Sequence, residues 1–135
     1  MLHRTFSGLL VGLFTLSACA GSLQDGIDAW RAGDRATAIA SWRPLAEQGH
    51  PEAGLFLGYV YRRGLGVTPD DAIAARWYRL AAELGQPEAQ YELALMYELG
   101  LGVPQDPNEA AHWYGLSSGQ ACPAELTAGG RLGDR

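Results

Sequence analysis

The sequence predicts an all-α protein, an α/α solenoid of antiparallel helix pairs about two and a half repeats long. Three observations predict it. Residues 51–86 recur as residues 87–122 at an offset of 36, with fifteen identities that are mostly glycines, aromatics and small residues. A period of this length marks a stacked array of helical units. Within the copies, Ala53, Leu57 and Tyr61, then Ala89, Leu93 and Tyr97, return every fourth residue, which is the spacing of one helical face. Each copy also carries Gly-Leu-Gly-Val, at 64–67 and 100–103, followed by an aspartate (Asp70, Asp106) suited to capping a second helix.

The elements follow in chain order. Residues 1–18 read as a secretory signal: His3 and Arg4 give a positive start, and the apolar run 8–16 is shorter than the roughly 20 residues a spanning helix needs. The run closes on Leu16-Ser17-Ala18-Cys19, which resembles the bacterial lipobox. That resemblance implies lipid attachment at Cys19 through a thioether and cleavage just before it. Two or more acyl chains on one residue suffice for stable anchoring, since about 0.8 kcal/mol accrues per buried CH₂. In double-membraned bacteria an aspartate after the lipidated cysteine favours retention in the inner membrane. Ala20 therefore resembles the class on the outer membrane, facing the periplasm. The competing reading is an ordinary signal cleaved near Ala20, with Cys19 incidental. With Cys19 lipidated, Cys122 is a lone thiol that either pairs with another chain or is simply buried; no neighbouring acid–base residue in sequence activates it, and the favoured reading is buried and inert.

Residues 19–23 form a tether. The helical domain is expected over 24–122, in units 24–49, 50–86 and 87–122, with a loose tail at 123–135. In the first unit, helices over 24–31 and 35–48 are separated by Gly33-Asp34, a stop followed by a cap. The second of them matches 74–85 at the same offset (Ala38/Ala74, Arg43/Arg79, Ala46/Ala82, Glu47/Glu83, Gly49/Gly85). In the second unit Pro51 opens a helix, Glu52 complements its dipole, and Gly64 closes it; a partner helix spans 71–84. The third unit repeats this from Pro87. Its last helix starts at Asp106-Pro107-Asn108-Glu109, a cap, a proline and a capping-box acid. That helix weakens where Gly115, Ser117, Ser118 and Gly119 replace Arg79, Ala81, Ala82 and Glu83.

The spacing Ala53…Leu57-Gly58…Tyr61…Gly64-Leu65-Gly66-Val67…Asp70…Ala74…Trp77-Tyr78 resembles the Sel-one-like repeat (SLR) family, relatives of the tetratricopeptide repeat with a longer glycine-containing loop. The second copy departs once, with Ala94 at the position of Gly58. The resemblance implies a solenoid that binds proteins or peptides on its concave side, often in envelope signalling or host interaction. Some disulfide-rich members have penicillin-binding or β-lactamase activity; no cysteine pairs exist within these repeats, and no residue carries that activity over.

The 135 residues carry a formal charge of −5 and no lysine, and no basic face is visible, so nucleic acid is not an expected partner. No metal spacing, cofactor loop or catalytic set stands out, and the chain reads as a non-enzyme. Gly115-Leu116-Ser117-Ser118-Gly119 matches the G-x-S-x-G of hydrolases, but no strand is expected before it. Trp77, Trp113, Tyr61 and Tyr97 read as packing between helices. By the tetratricopeptide analogy, the inner faces of the first helices offer Leu55, Tyr59 and Arg62, then Tyr91, Leu95 and Glu98, with Trp30 extending the set. The leading expectation is a membrane-anchored module of the bacterial cell envelope that holds a protein or peptide through these residues. The alternatives are an envelope hydrolase or muropeptide-binding protein with Ser117 as its nucleophile, and a structural lipoprotein that oligomerises through its ends.

Overall fold

Glycines and capping side chains cut the chain where the repeat requires. The computed structural model describes residues 21–119, and among them lie six helices and no strand. These are α1 (Leu23–Arg31), α2 (Arg35–Glu47), α3 (Pro51–Arg63), α4 (Asp71–Glu83), α5 (Pro87–Leu99) and α6 (Pro107–Ser117). They pair as α1–α2, α3–α4 and α5–α6, and α2 packs on α3 as α4 does on α5. This is the helical-hairpin solenoid that the period predicts. The signal segment 1–18, Cys19, Cys122 and the tail 123–135 lie outside the described residues. No helix among the described residues is long and apolar enough to cross a membrane.

Two helix starts differ from expectation. Helix α1 begins one residue early because Ser22 and Asp25 form a capping box: the Asp25 N–H donates to Ser22 Oγ (3.1 Å) and the Ser22 N–H to Asp25 Oδ2 (2.7 Å). The box expected at Asp106 and Glu109 does not close. Asp106 Oδ1 accepts from the N–H groups of Asn108 (2.9 Å) and Glu109 (3.2 Å). Its own N–H, however, donates to the Tyr97 carbonyl (3.0 Å), so the Glu109 carboxylate accepts from Trp113 Nε1–H instead. Asp70 caps α4 in the same manner, and its N–H donates to the Tyr61 carbonyl (2.9 Å). Each aspartate thus pins a loop and opens a helix. Asp106→Ala should cost about 1 kcal/mol in urea unfolding, with little change in far-UV circular dichroism. As expected, α6 is the short one of its pair, 11 residues against 13 in α5.

The core is built joint by joint. One cluster sets Ile39, Trp42 and Leu45 of α2 against Leu57 and Val60 of α3; the next sets Tyr78 and Ala81 of α4 against Leu93, Met96 and Tyr97 of α5, with Trp113 of α6. Alanines (Ala38, Ala53, Ala74, Ala89) are fully buried in these joints. Each Gly-Leu-Gly-Val loop seats its second glycine on the start of the preceding even-numbered helix: Gly66 on Arg35, and Gly102 on Asp71. A Cβ at Gly66 would stand 2.5 Å from Arg35 Cβ. Both glycines are left-handed, at φ 83° and 67°. Each joint also carries one repeated side-chain tie. Arg43 Nη2 donates to the Tyr61 hydroxyl (2.8 Å), and Arg79, one repeat on, donates to the Tyr97 hydroxyl. The next position in that series is Gly115.

Candidate functional site

The odd-numbered helices α1, α3 and α5 border a shared recess of about 430 Å³, lined among others by Ile27, Trp30, Leu55, Phe56, Tyr59 and Glu92. Its aromatic wall is a chain of contacts. The Trp30 and Trp42 rings lie 5.6 Å apart, and Trp42 and Phe56 lie 5.0 Å apart, all tilted. The Arg35 guanidinium sits 3.6 Å over the Trp30 ring, and its Nη1 donates to the Trp30 carbonyl. Arg35 and Trp42 thus hold Trp30 in the wall of the recess. Leu55 is half-buried in the wall, and Tyr59 stands at the rim, 46% exposed, with the Arg63 guanidinium 5.6 Å from its ring. The floor includes Tyr78, whose burial pushes its hydroxyl well above the usual tyrosine range and keeps it protonated.

The far side is acidic. Glu88 and Glu92, one turn apart on α5, border this recess and also a second, more open one of about 340 Å³ with Pro87, Tyr91 and Ser117. Arg62 forms an ion pair with Glu92 and so bridges α3 to α5. Glu88 has no ion pair or side-chain hydrogen bond among the described residues.

The seven expected contact residues therefore divide. Trp30, Leu55 and Tyr59 meet in the first recess. Tyr91 lies in the second, half-exposed, its ring 5.4 Å from that of Tyr114. Arg62 stands between them, bound to Glu92. Leu95 and Glu98 line neither recess; the Tyr114 hydroxyl donates to Glu98 Oε2 (2.7 Å). Partial burial and that carboxylate push the Tyr114 hydroxyl up to about 12.

The different settings of Tyr78 and Tyr114, equivalent residues one repeat apart, have a local cause. A Cβ at Gly58 would fall 2.5 Å from the Tyr78 ring, so that ring lies flat on the glycine. The equivalent of Gly58 is Ala94, which has that Cβ, and Tyr114 is half-exposed, turned to Tyr91 and Glu98. Sequence reasoning missed Phe56, Glu88 and Glu92. The signal for two of them was present, since Phe56 and Glu92 are equivalent positions that exchange an aromatic for an acid.

Among the described residues, Ser117 has no acid–base side chain hydrogen-bonded to it. It lies in α6 without the strand of a nucleophile elbow, and its Oγ donates to the Tyr114 carbonyl (2.9 Å). No cluster of three or more metal-ligating side chains occurs among the described residues.

The Sel1 repeat family model matches residues 51–86 and 87–120. None of the curated proteins matches the chain. Among solved structures, the chain is similar to a Sel1 repeat protein from Oxalobacter formigenes: 36% identity, TM-score 0.67, over 73% of this chain and 40% of that one. It is also similar to a protective antigen present in uropathogenic Escherichia coli strains and displaying an SLR fold: 39% identity, TM-score 0.68, over 73% of this chain and 22% of that one. The match thus spans under half the length of the first and under a quarter of the second.

Proposed function

The chain belongs to the Sel1 repeat family, whose members typically serve as protein-interaction scaffolds, and from that premise we propose that it is a membrane-anchored interaction module of the bacterial envelope. One observation carries the reading. Three odd-numbered helices converge on a recess walled by Trp30, Leu55, Phe56 and Tyr59, which offers aromatic area that a partner side chain can fill. Binding energy concentrates in such desolvated aromatic pockets. The partner is a protein or peptide segment, and the residues in contact are Trp30, Leu55, Tyr59 and, in the adjoining recess, Tyr91. Arg62 acts indirectly, by holding Glu92 in place across the joint.

The anchor in this reading rests on Leu16-Ser17-Ala18-Cys19, and the periplasmic face of the outer membrane on Ala20. The test is crosslinking in the native cell from a photoreactive residue at position 55, in proteins with Tyr59 intact or replaced. We expect one dominant adduct, reduced several-fold by Tyr59→Ala, and release of the protein from the membrane fraction by Cys19→Ser. An adduct of undiminished yield in Tyr59→Ala would remove the groove assignment, and retention of Cys19→Ser in the membrane fraction would remove the anchor.

A further inference from the structure

We propose that the ridge between the two recesses makes the groove selective for a peptide segment in which one basic residue stands between two large apolar residues. The inference rests on the groove reading above and adds its charge specificity. Glu88 and Glu92 border both recesses, so a segment that fills both crosses them. Two carboxylates four residues apart on a helix repel each other. Arg62 compensates one of them, Glu92, and leaves the ridge with the uncompensated charge of Glu88.

Glu88 lies in the first turn of α5 and is exposed. On α3, the Arg63 guanidinium lies 5.6 Å from the centre of the Tyr59 ring at the rim of the first recess. The groove therefore has polarity, with a positive group at the Tyr59 rim and a negative one at the ridge. A Lys or Arg in the bound segment meets Glu88, with one apolar side chain among Trp30, Leu55 and Phe56 and the other beside Tyr91. An acidic residue at the same place meets the uncompensated like charge of Glu88 and is rejected.

The experiment is selection of random displayed dodecapeptides on the full chain, repeated on Glu88→Lys, Glu88→Asp and Tyr59→Ala. Selected sequences are expected to carry Lys or Arg between two aromatic or large aliphatic residues. The leading peptide should weaken about tenfold against Glu88→Lys and recover with Glu88→Asp. Glu88→Lys itself should select acidic residues at that position. Apolar peptides that need Tyr59 but show no basic preference, or the same sequences from Glu88→Lys, would overturn the charge specificity and leave the groove standing. Enrichment of nothing, or of sequences indifferent to Tyr59→Ala, would overturn both. Glu88 is exposed, so unchanged circular dichroism of its variants separates recognition from folding.

Discussion

Gly102→Ala should destabilise the fold by roughly 2–5 kcal/mol, an amount drawn from left-handed strain and overpacking together. Two independent costs meet at this residue. Its φ of 67° lies in the left-handed region, which disfavours any Cβ by about 1–2 kcal/mol. The added methyl would also overlap the backbone of Asp71 and Ala72 at the start of α4, where no side chain can rotate away. The loop would have to lift off α4 and strain the hydrogen bond from the Asp106 N–H to the Tyr97 carbonyl. Gly85→Ala is the control: φ is 89° there, but nothing lies within 4 Å of an added Cβ. Urea unfolding of the two variants separates backbone strain from contact. Equal losses would show that the seating of Gly102 on Asp71 contributes nothing.

Leu93→Ala should cost about 3 kcal/mol, within the 2–5 usual for a leucine truncated in a packed core. Leu93 is fully buried at the centre of the cluster formed by α4, α5 and α6, where its loss leaves a void walled by several helices. Leu99→Ala, on the same helix but 56% exposed, should change stability by no more than about 0.5 kcal/mol. The two variants share residue type and helix, so their difference isolates burial. Stability in a stacked array is held by nearest-neighbour joints. Hydrogen exchange in Leu93→Ala should therefore rise first in α4–α6 and least in α1 and α2. A uniform rise along all six helices would mean that the two core clusters melt as one.

Much of this architecture was legible because each unit writes its own punctuation. Asp70 and Asp106 cap, Gly64 and Gly100 end their helices left-handed, and Pro51, Pro87 and Pro107 sit at helix starts. These are local effects, and a short window of sequence contains them. The site was harder to read because it depends on the rotation of each helix about its axis. Of the expected stripe 91, 95, 98, Tyr91 lines a recess and Leu95 and Glu98 do not, while α5 also offers Glu88 and Glu92. The pairing of Arg62 with Glu92 spans 30 residues and two loops, and no local pattern encodes it. The contrast between Tyr78 and Tyr114 is of the same kind. The two tyrosines occupy equivalent positions, and the difference lies in the glycine or alanine on the helix they face.

The Arg–Tyr ties at successive joints bear on whether molecules can stack into fibres. A solenoid grows end to end when a new molecule repeats the joint already used inside the old one. Here the donor series runs Arg43, Arg79, then Gly115, and the acceptor series, traced back one repeat from Tyr61, reaches Asp25. A second copy laid on α6 in the same register would bring an aspartate to a glycine. Asp25, moreover, is already committed to the Ser22 cap. Among the described residues, a joint of α1 on α6 in that register would therefore lack the side-chain bond that the α2–α3 and α4–α5 joints possess.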